Sequence, residues 1–162
     1  MLTDEGDLLS RELKEKGIEP EQLAEGVCSY NTIKEMLSGT EECDLLLFFF
    51  FQQRLGESPD KKEYILSWKE YRGECIRSQI VSAIFRGRKE WAKRALCAYK
   101  EKIGSGKAVH EMFVCRGQAM ISYWICRDAA RAKTWLVQAL DVTFPRWKYT
   151  DWDKCRISTM EL

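Results

Sequence analysis

The chain has 162 residues, 45% of them apolar and 31% charged, with a formal charge of +1. That balance belongs to one globular domain or two small ones with enough apolar side chain to bury a core, and it excludes general disorder. The longest uninterrupted apolar run, Leu45 to Phe51, covers 7 residues, against the roughly 20 that a membrane span needs, so no membrane partner is expected.

The opening residues Met-Leu-Thr-Asp-Glu-Gly-Asp lack the basic and apolar stretches of a secretory signal, which predicts a cytoplasmic protein. The 7 cysteines (28, 43, 75, 97, 115, 126 and 155) include no Cys-x-x-Cys pair. They read as free thiols acting as small hydrophobes in a reducing compartment. His110 is the single histidine, so no metal site and no cofactor is expected. The small net charge hides a division. Residues 1–59 carry 13 acids against 5 bases, or −8, and residues 60–162 carry 21 bases against 12 acids, or +9.

Apolar periodicity is helical almost throughout. Leu8, Leu9 and Leu13 predict a first helix stopped by Gly17. Pro20 opens a short second helix that breaks at Gly26-Val27-Cys28. Ser29 then caps a third helix, Tyr30 to Ser38, with Ile33, Met36 and Leu37 turned inward and Gly39 at its end. Asp44 caps a fourth, Leu45 to Leu55, closed by Gly56. Its apolar run on every side predicts burial all round or an interface. Ser58-Pro59-Asp60 marks a turn and a domain boundary. Helices over Tyr64–Phe85, with a break near Gly73, and Trp91–Ile103 follow around the turn Arg86-Gly87-Arg88. After Gly104-Ser105-Gly106, helices Val109–Cys126 and Ala129–Phe144 complete a second antiparallel pair.

The segment from Glu21 to Gly39, with Leu23-Ala24, Val27, Ile33 and Gly39 at its structural positions, resembles the XRE (phage-repressor-like) helix-turn-helix family. The continuation Gln52-Gln53-Arg54-Leu55-Gly56 is similar to that family's approach to its fifth helix. The second half resembles the tetratricopeptide-type region that follows such domains in bacterial regulators. There Tyr123, Ala132, Leu136 and Ala139, and in the first pair Ala83, Ala92 and Leu96, carry the likeness, while Pro145 falls one place late and Tyr99 stands where the repeat usually has a small residue. Ala92 and Ala132 lie 40 residues apart, longer than the usual period of about 34.

These likenesses imply an all-α protein: a helix-turn-helix domain over 1–59, then antiparallel tetratricopeptide-like helix pairs over 60–162. They further imply a bacterial transcription regulator whose partners are DNA, a peptide or protein ligand on the repeats, and a second copy in a homodimer. The DNA-binding positions fall on Ser29, Tyr30, Asn31, Thr32, Lys34 and Glu35, with Asn31 suited to bidentate reading of adenine.

Against this stands Thr40-Glu41-Glu42, where the family is usually basic, and Pro20, where it usually places a polar residue. Carboxylates there oppose the phosphate neutralisation that supplies most DNA affinity. A protein-interaction module whose acidic helix-turn-helix no longer binds DNA is the alternative. The basic run Arg86-Gly87-Arg88-Lys89 reads as a solvated turn, His110 as a capping or packing residue, and tryptophans 68, 91, 124, 135, 147 and 152 as core, with a groove between the hairpin helices as the other place for Trp124 and Trp135. No catalytic constellation is present in the sequence, so no enzyme is expected.

Overall fold

The structure, a computed structural model, describes residues 5–57, 68–104, 106–149, 151 and 156–161. The described residues are helical and turn, with no strand among them. They form two compact units, residues 1–65 with 146–162 and residues 66–145.

In the first unit, α1 (Glu5–Lys16) carries Glu5 and Asp7 in its first turn and Lys14 and Lys16 in its last, the order that complements the helix dipole. Leu9 and Leu13 are its buried stripe. It ends as Gly17 turns left-handed (φ 62°). The Ile18 amide then reaches Leu13 O at 3.0 Å, closing carbonyls that would otherwise face no donor. α2 (Pro20–Ala24) is a single short turn with Leu23 and Ala24 buried. Its entry is tied by the Glu19 amide, which donates to Gln22 Oε1 at 3.1 Å.

α3 (Tyr30–Leu37) is capped by Ser29 Oγ, which accepts from the Thr32 amide at 3.1 Å. It closes at Gly39 (φ 72°), with the Thr40 amide on Glu35 O at 3.0 Å. α4 (Leu45–Arg54) is capped by Asp44 Oδ1, which accepts from the Leu47 amide at 3.1 Å. Every residue from Leu45 to Gln52 is buried. Burying each large apolar side chain contributes about 1.5–3 kcal/mol, so α4 is the core of this unit. Just past the run, Gln52 Nε2 donates to Glu12 Oε2 at 2.6 Å, and Arg54 is held as described below.

In the second unit α5 (Trp68–Phe85) and α6 (Lys89–Tyr99) form one antiparallel pair, and α7 (Ala108–Met120) and α8 (Ala129–Thr143) another. α6 and α7 each continue for one wider π turn, Lys100–Gly104 and Ile121–Ile125. Ile80, Ala83, Ile84, Ala92, Leu96, Tyr99, Val114 and Ile121 make the shared core. The pairs approach closely at Gly117, where a Cβ would meet Leu96 Cδ2 at 2.7 Å. A buried polar chain crosses this core. Arg77 donates to Glu74 Oε2 at 2.8 Å and to the Tyr99 hydroxyl at 3.2 Å, and that hydroxyl is bonded to His110 Nδ1 at 2.6 Å. Burial opposes the Arg77 charge, but Tyr99 and Glu74 more than offset it and its pKa is raised.

Several expectations need correction. α5 runs through Gly73 without a break. Leu37 is only half-buried. Trp91 and Trp124 are exposed rather than core, at 42% and 49%, and of the repeat positions Tyr123 and Leu136 are exposed too. Periodicity marks an apolar face, and it does not say whether a neighbour covers that face. Residues 146–162 group with the first unit, whereas the sequence placed them at the end of the 60–162 domain. Within that stretch Glu161 pairs with the buried Arg54 of α4. The turn Ser58-Pro59-Asp60, Tyr64, Ser105, Trp152, Cys155 and the side chain of Trp68 lie outside the described residues.

Candidate nucleic-acid interface

The turn between α2 and α3 is built from backbone bonds to one carbonyl. The amides of Val27 and Cys28 both donate to Ala24 O, at 2.9 and 3.1 Å, with Gly26 left-handed between them. This reverses the chain in few residues and starts α3 at Ser29. Inside α3 the spacing sorts the side chains. Ile33 and Met36 are buried, while Tyr30, Asn31, Lys34 and Glu35 are exposed. Tyr30 is 46% exposed, and Lys34 Nζ lies over its ring, 5.6 Å from the centroid. α3 is also tied to α1 by Ser10 Oγ, which donates to Leu37 O at 3.4 Å.

The six residues expected at the interface therefore divide. Tyr30, Asn31, Lys34 and Glu35 share the exposed face of α3. Ser29 and Thr32 have hydroxyls bonded to each other at 2.8 Å, so their role is to shape the helix start. Glu41 and Glu42 follow in the exposed segment after Gly39. With Glu35 they form an acidic margin that carries no ion pair among the described residues.

Sequence reasoning missed the group that holds this turn from behind. Arg54, at the end of α4, is buried, and its Nη1 donates to Leu23 O and Glu25 O at 2.8 Å each. The guanidinium lies over the Phe50 ring at 4.7 Å. Nη2 donates to Glu161 Oε1 at 2.8 Å, and Glu161 Oε2 in turn accepts from the Ser158 amide at 2.9 Å. The two charged side chains are 2% and 1% exposed. An arginine closing an otherwise apolar helix was a visible signal that it needed a partner. Nothing local pointed to Glu161, 107 residues away.

In the second unit an open groove of about 420 Å³ is lined by Ser78, Gln79, Ser82, Ala83, Arg86, Arg88 and Trp91. The Arg86 and Arg88 guanidinium groups make no ion pair among the described residues. Phe85, Tyr123 and Trp124 are exposed and in ring contact in series, at 6.3 and 5.2 Å.

The six described cysteines are free. Burial pushes the Cys28 thiol up to about 11 and raises that of Cys115. Among the described residues no cluster of His, Cys, Asp and Glu is arranged to hold a metal. No described helix is long and apolar enough to cross a membrane. Comparison with known proteins returns no family model, no curated protein and no solved structure that matches this chain.

Proposed function

We propose that the chain is a bacterial DNA-binding transcriptional regulator of the XRE type that reads duplex DNA with the exposed face of α3. The carrying observation is the division of that helix. Tyr30, Asn31, Lys34 and Glu35 stand free of the unit, while Ile33 and Met36 fasten it. Presenting the N-terminal residues of the second helix to base edges is what a helix-turn-helix requires. Asn31 suits adenine, and Tyr30 with Lys34 suits a phosphate or a base face. The acidic margin weakens each contact with the backbone, so useful affinity comes from two copies engaging a two-fold site together. The second unit, with its groove and exposed aromatic rings, supplies the ligand and homodimer surface in this reading.

The test is fluorescence anisotropy with a duplex pool from the gene's own upstream region, at low and moderate salt. Salt-sensitive binding that disappears in Tyr30→Ala/Asn31→Ala is the expected result. Both side chains are exposed, so their truncation leaves the core intact. Absence of binding even at low salt refutes the reading. That outcome favours the second reading, a protein-interaction module, which rests on Glu35, Glu41 and Glu42 being exposed without ion pairs among the described residues.

A further inference from the structure

The C-terminal end of α2 is where the chain turns into α3, and its carbonyls need donors from outside the helix. Ala24 O receives the Val27 and Cys28 amides. Leu23 O and Glu25 O, on either side of it, receive one nitrogen of Arg54. The remaining face of the guanidinium is closed by Glu161 and the Phe50 ring. A second point of the returning segment meets the same place, since Arg146 Nη1 lies 3.9 Å from Glu25 Oε1.

We propose that Arg54 and Glu161 are positioning residues for α3: the segment 156–161 holds Arg54, Arg54 holds the end of α2, and the pair fixes the angle at which α3 is presented. This regulation of the interface rests on the DNA-reading role proposed above. The chain passes through residues 66–145 before it returns at Arg146. A pull on the returning segment therefore reaches the turn before α3 chiefly through Arg54 at the end of α4, with the exposed Arg146–Glu25 pair beside it. A buried pair serves this purpose better than an apolar contact, because displacing either partner strands the other and the arrangement has only a held and a released state.

Amide hydrogen exchange on the full-length protein tests the clamp. In Glu161→Gln, the Val27 and Cys28 amides are expected to exchange at least tenfold faster, while those of Leu13 in α1 and Phe48 in α4 change far less. Equal acceleration throughout the unit would mean that the pair only holds the unit together, and unchanged exchange at Val27 and Cys28 would mean that it holds nothing there. Either result overturns the proposal.

Arg54→Met/Glu161→Leu removes both charges and so preserves folding if Glu161→Gln does not. It still deprives Leu23 O and Glu25 O of their donor, and the same selective loosening is expected. Wild-type exchange at Val27 and Cys28 in that variant overturns the proposal. On a duplex that the wild type binds, both variants should lose affinity tenfold or more with Tyr30 and Asn31 untouched, and full affinity alongside a loosened turn overturns the positioning role. A wild type that binds no duplex refutes the DNA reading alone, and the exchange comparison then decides the clamp by itself.

Discussion

Replacing Gly117 by alanine should destabilise the second unit, although the same change in a free helix would help. Gly117 lies within α7 and is buried. A Cβ there would sit 2.7 and 2.8 Å from the two methyl carbons of Leu96 and 3.3 Å from its Cγ. Leu96 is 0% exposed, so those methyls have no open side to move into. Overfilling a packed core costs about 1–3 kcal/mol. Alanine recovers about 1 kcal/mol of helix propensity over glycine. The net expectation is a loss of about 1 kcal/mol, or a melting point lowered by about 4–8 °C in a unit of this size.

A second background makes the sign decisive. Leu96→Ala alone should cost about 2–5 kcal/mol through the space it leaves. In that background the new Cβ enters vacated volume, so Gly117→Ala should become stabilising, with a coupling of about 2 kcal/mol between the sites. Urea unfolding followed by circular dichroism gives the four midpoints of the cycle. A stabilising Gly117→Ala in the wild type, or the same effect in both backgrounds, would refute the claim that Leu96 is the reason for this glycine.

Other outcomes follow from the first unit. Ser29→Ala removes the acceptor for the Thr32 amide and should cost about 1 kcal/mol of stability, read from a urea midpoint. Glu41→Lys/Glu42→Lys should raise duplex affinity and steepen its salt dependence, since each new cation neutralises a phosphate; anisotropy titrations at several salt concentrations would show no change if the acidic margin were irrelevant. Burial raises the Glu12 carboxyl, with the Gln52 bond working against it. Its protonated form is thus favoured on folding, and the stability it lends at low pH is lost as pH rises through the raised value. Glu12→Gln should flatten that acid-side dependence of the unfolding midpoint. Cys28, with its thiol near 11, should resist iodoacetamide at pH 8 while the exposed Cys97 and Cys126 are alkylated, as peptide mass mapping would show.

The helices were legible where a single residue type settles a local question. Gly17 and Gly39 take the left-handed conformation at helix ends, and few other residues reach it cheaply. Ser29 and Asp44 each have an oxygen one or two bonds from Cβ that reaches an amide three residues on. Such devices act within one turn, so a linear reading finds them. What a helix packs against depends on residues far away in the chain. Trp91 and Trp124 satisfy the same periodicity as Leu96 and Ile121, yet the first two face out and the last two are core.

The proposed interface was legible only in its outward half, for a related reason. Tyr30, Asn31, Lys34 and Glu35 were reached through the resemblance to the helix-turn-helix family, and the helical spacing that turns Ile33 and Met36 inward leaves these four exposed. Their chemistry is readable one residue at a time. The support behind them was not, because a buried charge declares that it needs a partner without naming one. Arg54 could have been balanced by any carboxylate the chain brought back, and the chain carries 25 acids. Charge counted by segment misled for the same reason: Glu161 was assigned to the basic portion of the chain, 60–162, while it completes the acidic one. The balance that matters for a buried ion is the local one, and there Glu161 stands 2.8 Å from Arg54. The acidic margin of α3 has no such partner among the described residues and is exposed, so water solvates Glu35, Glu41 and Glu42, and in the DNA reading they are charges that oppose the phosphate backbone.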